Sequence, residues 1–321
     1  TLAGTGRVLV GTEGGLFEST TYGSNWSRVN PNAPLIQRIT DADLDDQGRI
    51  VAATTAGVWR YTASSGWEAL GPPGMPSIRD FSVQPDGSII VGYHAGLYTL
   101  KGTTWTPTPI MGPDQSARDI STLTVTANGT ILAGAAWDSW KKAPGNSPWE
   151  LMSVGSIPWF DVRTFGNVGT RVLAGTRYLG ILESTDDGST WNTLGTGLNG
   201  TEDIQAIATD SNGRVHIATY GSGVFQMNQW TKVWLPMNTG FGTHLRVTAL
   251  AFDSKGNGYA GTLDGGLFRH AVSTATEDNP GLEVPKSLHL GSPYPNPANR
   301  TITLPMALTT AGMIYVRVYD V

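Results

Sequence analysis

The chain has no cysteine and carries little charge for its length. Among its 321 residues, Asp, Glu, Lys and Arg together make up 15%. The missing cysteines exclude a disulfide framework and any thiolate metal site, although they do not fix a compartment. The net charge of −5 and the lack of a basic run do not favour a nucleic-acid partner. No apolar stretch approaches the roughly 20 residues of a transmembrane segment. No signal peptide is visible, so we expect the numbering to begin on a processed or trimmed chain.

Glycine is abundant, with 41 residues, and it opens a phrase that recurs along the chain. Strands of the GRVLVGT type begin at residues 6, 48, 87, 129, 170, 213 and 256. The steps between them are 42, 39, 42, 41, 43 and 43 residues. A period of roughly 40–45 residues is typical of the blades of a β-propeller.

Each copy predicts four antiparallel strands, which we number from the inner strand outwards. An alternating run forms the inner strand, a turn such as QPDG or DSNG leads to the repeated phrase, and a short piece such as GLF follows. A tryptophan then marks the outer strand in six copies: Trp26, Trp67, Trp105, Trp149, Trp191 and Trp230. We therefore predict an all-β fold, a seven-bladed β-propeller of four-stranded antiparallel blades over residues 1–275.

Closure of the ring is the open point of this prediction. Residues 1–5 are too short to supply the inner strand of blade one, so we expect that strand to be missing. Blade seven lacks a clear outer strand. Either residues 271–290 fill that gap or part of the natural chain is absent, and we favour the first.

Residues 184–191, STDDGSTW, resemble the Asp-box, or BNR repeat, of sialidase-type propellers. All five residues of the Ser-x-Asp-x-Gly-x-Thr-Trp pattern match: Ser184, Asp186, Gly188, Thr190 and Trp191. Blade one carries an eroded version, STTYGSNW, at 19–26. We expect a structural role for the box, because its turn joins the third and outer strands, on the face opposite the usual propeller site.

An acidic run at 41–48, DADLDDQG, is similar to a calcium loop. The repeat explains it better, as the end of an inner strand followed by the turn that every blade has. We therefore expect no metal and no cofactor.

The repeat stops near residue 275, and a polar linker is predicted over 276–285. Residues 286–321 resemble the beginning of the C-terminal (Por) sorting domain of type IX secretion cargo. The matching pieces are Tyr294-Pro295-Asn296-Pro297, Asn299, the strand at 301–304 and the phrase at 316–320. Such domains normally continue with a Gly-Arg turn and more strands, so we expect a partial, truncated domain. The resemblance implies export by the type IX machinery and a secreted or cell-surface location.

Ligand sites of propellers usually lie on the face that carries the second-to-third strand turns and the blade-to-blade loops, here called the upper face. The turns place eight larger residues there: Glu13, His94, Trp137, Asp138, Arg177, Tyr178, Tyr220 and Asp264. The loops add four more: Trp159, Phe160, Phe241 and His244.

The starts of the inner strands add a polar ring at the same face. Its first column reads Arg38, Ser77, Asp119, Asp161, Asp203 and Arg246. Its second column, two residues further on, reads Thr40, Arg79, Ser121, Arg163, Gln205 and Thr248. A period of two puts both columns on one side of each sheet.

Aromatic rings beside Arg and Asp suit sugars, whose apolar faces stack and whose hydroxyls take paired hydrogen bonds. We therefore predict an extracellular binding module for a glycan or glycoprotein. The alternative is a structural or sensor-type propeller that binds protein partners, with the ring only satisfying a polar channel.

An enzyme is the other alternative, a polysaccharide lyase before a glycoside hydrolase. A lyase would need a base such as His94 or Tyr220, with Arg177 to neutralise a uronate carboxylate. A hydrolase needs two carboxylates at a set separation, and nothing in the sequence pairs Asp138, Asp161 and Asp264. Sialidases carry a Phe/Tyr-Arg-Ile-Pro phrase, and the nearest piece here, residues 37–40, reads QRIT.

Overall fold

Alternating apolar and polar residues between glycine-bearing turns give short antiparallel strands along the whole repeat. The computed structural model describes residues 7–29, 38–71, 78–157, 160–198 and 202–270, and only the backbone of the strands at 2–3, 289–290 and 306–307. The chain divides into two units, Thr1–Val272 and Ser273–Val321. The first holds seven consecutive antiparallel sheets, with no helix in its described residues. These sheets are the blades of the predicted seven-bladed β-propeller.

The strands follow chain order within every blade. Blades one to three contain β1 (Leu2–Ala3), β2 (Arg7–Thr12), β3 (Gly15–Ser19), β4 (Ser27–Arg28), β5 (Ile39–Leu44), β6 (Ile50–Thr54), β7 (Gly57–Thr62), β8 (Gly66–Gly71), β9 (Asp80–Val83), β10 (Ile89–Tyr93), β11 (Gly96–Lys101) and β12 (Thr104–Pro109). Blades four and five contain β13 (Ile120–Val125), β14 (Ile131–Ala135), β15 (Ser139–Lys142), β16 (Glu150–Leu151), β17 (Val162–Val168), β18 (Arg171–Thr176), β19 (Ile181–Ser184) and β20 (Asn192–Thr193). Blades six and seven contain β21 (Ile204–Thr209), β22 (Val215–Thr219), β23 (Gly223–Met227), β24 (Trp234–Pro236), β25 (Val247–Phe252), β26 (Gly258–Thr262) and β27 (Gly266–His270).

The two ends of the repeat differ in how far they complete a blade. The expectation that blade one has no inner strand was wrong, because the two-residue β1 pairs antiparallel with Arg7 and Val8 of β2. Blade seven has three strands in the described residues, as predicted. The segment expected to complete it, 271–290, and the predicted linker lie outside those residues, apart from the backbone of β28 (His289–Leu290). In the second unit β28 pairs with β29 (Met306–Ala307).

A carboxylate closes the turn between inner and second strands in several blades. Asp45 Oδ1 accepts the backbone N–H groups of Gln47 and Arg49 at 3.0 and 2.9 Å. Asp210 and Asp253 accept the equivalent N–H groups in blades six and seven. The glycine of the turn, Gly48, has φ +72°, a left-handed conformation that glycine adopts at little cost. Residues 45–48 are therefore the predicted turn.

Neighbouring blades meet through a small residue on one side and a β-branched residue on the other. A Cβ placed on Gly175 of β18 would lie 2.6 Å from Cγ2 of Ile204, the first residue of the next inner strand. Gly11 meets Ile39, and Gly92 meets Ile120, in the same way. The β-branched residues at these contacts are buried. Apolar clusters fill the six joints between consecutive blades from one to seven.

Tryptophans at or next to the outer strands of blades two to six pack into these joints. For blade six the predicted tryptophan has to be corrected. Trp105 Nε1 donates to Leu70 O at 2.8 Å, which ties blade three to blade two. In blade six the equivalent donor is Trp234, which is fully buried and bonds Leu194 O of blade five at 2.9 Å. The assignment of Trp230 to this role was wrong, because that residue lies in the preceding loop and is exposed.

Residues 184–191 of blade five, the stretch that resembles an Asp-box, form a closed set of local hydrogen bonds. Ser184 Oγ accepts Gly188 N at 2.8 Å, and Asp186 accepts both the N–H and the hydroxyl of Thr190 at 2.8 and 2.7 Å. Trp191 Nε1 donates to Gly188 O at 3.1 Å. A Cβ on Gly188 would lie 2.8 Å from Leu132 of blade four, so the box also sets a joint between blades.

The eroded box of blade one makes the corresponding contact with blade seven. Thr21 Oγ1 replaces the carboxylate and accepts Asn25 N at 2.9 Å. A Cβ on Gly23 would lie 2.8 Å from the ring of Tyr259, and Lys255 Nζ lies 3.8 Å from the ring centre of Tyr22. Blade one therefore touches blade seven directly, and the described residues close the ring through this turn.

We expect the variant Asp186→Ala to lower the free energy of unfolding by about 1–2 kcal/mol, because two donors of Thr190 lose their acceptor. Urea unfolding of the full chain measures this loss. The matched control is Thr185→Ala, an exposed neighbour, for which we expect a change within about 0.5 kcal/mol. Equal losses for the two variants would contradict a structural role for the box.

Candidate functional site

The turns of the upper face are locked by the last threonine of the repeated phrase. Thr176 Oγ1 donates to Gly180 O at 2.8 Å and accepts Leu179 N at 2.8 Å. Thr219 makes the corresponding bonds with Gly223 and Ser222 in blade six. Both threonines are buried. The residues between them and the third strand are therefore presented on rigid turns.

Three exposed aromatic rings stand on the upper-face turns of blades four to six, although the blade-four turn has Ala135 where blades five and six have the locking threonine. Trp137 of blade four is 73% exposed, Tyr178 of blade five 59%, and Tyr220 of blade six 46%. Each follows the second strand of its blade, so all three share the upper face, as the repeat predicts. We call them the aromatic arc.

The turns of blades five and six are also tied to the starts of their own inner strands. Arg177 N donates to Asp161 O at 3.1 Å, and Tyr220 N donates to Asp203 O at 2.8 Å. The two predicted groups, turn residues and first column, therefore meet in blades five and six. The guanidinium carbon of Arg177 lies 5.1 Å from the ring centre of Tyr178, a cation–π distance.

Polar residues of the ring pair across neighbouring blades. Arg79 of the second column contacts Asp119 of the next blade's first column at 2.8 Å. Arg163 stands in the same relation to Asp203, at 3.3 Å. The second-column residue sits at a β-bulge in five blades, and a bulge commonly re-aims a side chain. Some charged side chains of the polar ring therefore pair with one another, as the channel-lining alternative expects.

Blade seven adds a second charged group at the edge of the arc. Arg246 Nη2 contacts Asp264 at 2.7 Å, and His244 Nδ1 lies 3.4 Å from the other oxygen of that carboxylate. The guanidinium carbon of Arg246 lies 5.9 Å from the ring centre of Tyr220. Arg246 lowers the pKa of the Asp264 carboxyl, so this group is ionised near neutral pH.

Asp161 is the ring member with unused hydrogen-bonding capacity. It is 8% exposed, and neither carboxylate oxygen accepts a hydrogen bond from any residue that the structure describes. Its nearest cation is Arg163, whose Nη2 lies 3.8 Å from Oδ2. Burial raises the pKa of Asp161, and the charges of Arg163 and Arg177 oppose that rise. Both oxygens are buried, so a ligand on the upper face does not reach them in this conformation.

Several predicted site residues are engaged elsewhere. Asp138 is buried and contacts Arg118 Nε at 2.6 Å, so its charge is already neutralised. Phe160 and Phe241 were expected in the site, but both are buried: Phe160 packs on Trp191, and Phe241 on Phe268. Their apolar side chains fill blade joints.

The remaining predicted residues lie apart from the arc or outside the described chain. Arg38 and Glu13 are exposed in the first two blades, and His94 of blade three lies against the edge of Tyr93, 5.0 Å between ring centres. Trp159 and Ser77 lie outside the described residues. Of the carboxylates in the hydrolase hypothesis, Asp161 lies near enough to Arg177 for the charge of that arginine to oppose the rise that burial causes in its pKa.

A carboxyl pair on the inner strands was not found from the sequence. Asp41 of β5 and Asp80 of β9 are hydrogen-bonded to each other, and Asp80 Oδ2 also accepts Leu123 N at 2.7 Å. Burial, followed by the charge of Asp41, raises the pKa of Asp80 to about 8. Burial also raises the pKa of Asp41. In the sequence, Asp41 and Asp80 occupy the inner-strand position that is Thr122 in blade four and Thr164 in blade five.

Two kinds of feature are absent from the described residues. Within the described ranges, no three His, Cys, Asp or Glu side chains are grouped so that they could hold a metal ion. In the same ranges, no helix is long and apolar enough to cross a membrane.

Comparisons with known proteins bear on the fold alone. No protein-family model matches the chain, and no curated protein matches it either. Among solved structures, YCF48 bound to D1 peptide is 16% identical with a TM-score of 0.64, and the match covers 84% of this chain and 90% of that one. An ancestral GH74 enzyme, AFV00434, is 17% identical with a TM-score of 0.60, over 72% of this chain and 36% of that one.

A third similar structure is the extracellular domain of a one component system, BT4673, from B. thetaiotaomicron. It is 16% identical with a TM-score of 0.47, over 84% of this chain and 45% of that one. The chain thus spans less than half the length of the BT4673 and GH74 structures.

Removing Arg118 should destabilise the chain more than removing Asp138. Arg118→Met leaves a buried carboxylate without its cation, and we expect a loss of about 3 kcal/mol in the free energy of unfolding. Asp138→Asn leaves Arg118 beside Asp114, 3.1 Å away, and should cost less. Urea unfolding of both variants, with Lys101→Met as an exposed control, tests this order. A loss for Arg118→Met no larger than that of the control would contradict the structural role of Asp138.

The carboxyl pair predicts a pH dependence of stability. Because the pKa of Asp80 rises from an ordinary 3.8 to about 8, the folded chain holds an extra proton between these values. This contribution is full below about pH 4 and is lost as the pH rises through about 8. The free energy of unfolding of Asp80→Asn, relative to wild type, should therefore increase between pH 5 and pH 9.

Urea unfolding at the two pH values measures that change, with the exposed Asp46→Asn as the control. A difference between Asp80→Asn and wild type that stays constant with pH would exclude a shared proton at this pair.

Proposed function

We propose that this chain is an exported binding module that holds a glycan, free or on a glycoprotein, on the upper face of blades four to six. The observation that carries the proposal is the aromatic arc: three exposed rings on corresponding turns of consecutive blades, two of which are locked by a buried threonine. Exposed aromatic residues that are held rigidly provide large contact area at low entropic cost, which suits a binding surface.

Polar groups beside the arc match the hydroxyl pattern of a sugar. Arg177 and Arg163 carry N–H donors, and the partly exposed carboxylate of Asp203 beside Arg163 offers acceptor oxygens. A sugar hydroxyl both donates and accepts, so one hexose ring can use both kinds of group at once. In blades five and six the positive and negative side chains of the polar ring balance each other. This balance favours a neutral or weakly charged glycan over a strongly charged peptide.

Catalysis is not part of the proposal. Asp138 is paired with Arg118, and His94 stands two blades from Arg177. The proposal of export has a separate basis, the resemblance of residues 286–321 to a type IX sorting domain. That resemblance also implies contact with the secretion machinery.

A glycan array probed with the full chain tests the proposal. We expect a defined set of glycans to bind, and Tyr178→Ala to weaken their binding about tenfold through lost stacking. Arg177→Ala should also weaken it, because the guanidinium donors beside the Tyr178 ring are lost. The matched control is Leu235→Ala, an exposed apolar residue of β24, which should bind as wild type.

Two results would contradict the proposal. A folded chain that binds no glycan would favour the sensor-type alternative with a protein or peptide partner, the kind of ligand named for YCF48. Glycan binding that is unchanged in both Tyr178→Ala and Arg177→Ala would place the site away from the arc.

A further inference from the structure

Trp230 is the most exposed large apolar side chain in the described chain, at 79%. It lies on the face opposite the aromatic arc, in the loop between β23 and β24. The packing role of the outer-strand tryptophan is filled by Trp234, four residues later. Trp230 is therefore not needed to build the blade, and its exposure requires another explanation.

The loop that carries Trp230 is held in one conformation. Asn228 Oδ1 accepts the N–H groups of both Trp230 and Thr231 at 3.0 Å. Lys232 N donates to Asn228 O at 2.9 Å, while Lys232 O accepts Thr196 N of blade five at 2.9 Å. Lys232 has φ +56°, a left-handed conformation that is unfavourable for a lysine and that these bonds maintain. The indole and the ammonium are thus presented together by a fixed loop.

A cavity of about 390 Å³ opens beside this loop, between blades five and six. Its volume falls in the range of roughly 300–1,000 Å³ that is usual for small-ligand sites. Its lining combines an apolar floor with polar groups at the rim: Arg171, Leu194, Gly213, Val215, Met227, Gln229, Trp230 and Lys232. Gln229 Nε2 donates to Gly213 O at 3.3 Å, which positions its amide at the rim.

The charge of this cavity is opposite to that of the whole chain. The lining holds two cations and no carboxylate, whereas the chain carries a net charge of −5. Arg171 contacts Glu183 on the neighbouring strand. Lys232 makes no ion pair with any residue that the structure describes. A free ammonium beside an exposed indole and an amide selects a ring with an apolar face, hydroxyls and an acidic group.

We propose that this cavity, formed by Trp230, Lys232, Gln229 and Arg171, is a second binding site that takes a uronic-acid residue of an acidic saccharide. The sugar's C–H face stacks on Trp230, its carboxylate meets Lys232, and a hydroxyl accepts from or donates to the amide of Gln229. This site is separate from the upper face and does not depend on the function proposed for it.

Isothermal titration of the full chain with tetragalacturonate tests the site, with cellotetraose as the neutral comparison. We expect tetragalacturonate to bind and cellotetraose to bind at least about tenfold more weakly. Trp230→Ala should weaken tetragalacturonate binding about tenfold. Lys232→Gln should weaken it about threefold and reduce its dependence on salt. Thermal unfolding should be unchanged in both, because both side chains are at the surface.

Two exposed controls should bind as wild type: Leu235→Ala for the apolar change and Lys101→Gln for the charge. The proposal is overturned if the folded wild-type chain does not bind tetragalacturonate, or if it binds cellotetraose equally well. It is also overturned if Trp230→Ala binds as wild type. Loss of binding in Tyr178→Ala with none in Trp230→Ala would assign the saccharide to the upper face instead.

Discussion

The propeller depends on one close contact that is repeated between blades. A small residue near the end of each second strand lies against a β-branched residue at the start of the next inner strand. At Gly175 and Ile204 the approach leaves no room for a Cβ, because that atom would lie 2.6 Å from the isoleucine. Each blade is too thin to bury its own face, so this contact joins the sheets into one core. Packed interiors tolerate such a fit only with the right volumes on both sides.

The same phrase of sequence links this contact to the site. Gly175 makes the joint, Thr176 locks the turn, and Arg177 and Tyr178 are then presented on the upper face. Changes at the last two positions leave the joint and the lock intact, so the face can vary while the fold is kept. Tyr178 of the aromatic arc is thus attached directly to the contact that joins two blades.

The blades and the face were predictable because they depend on local patterns that recur. A period of two, turn residues and the spacing of the repeat place the strands of blades two to six and the upper-face turns, whereas the inner strand of blade one was missed. What failed depended on contacts between distant residues. Asp138 pairs with Arg118, which is two strands away in the sequence, and Asp41 pairs with Asp80 of the neighbouring blade. Neither spacing is visible as a motif. Trp230 and Trp234 are both plausible outer-strand residues, and only packing against Leu194 distinguishes them.

The central claim is that ligands engage the upper face through the turns of blades four to six. Hydrogen–deuterium exchange of the full chain, with and without the strongest glycan from the array, tests it most directly. The account predicts slower exchange confined to the turns near residues 136–138, 177–180 and 220–222, and to the inner-strand starts beside them. Protection on the opposite face alone, or bound glycan with no protection at these turns, would contradict it.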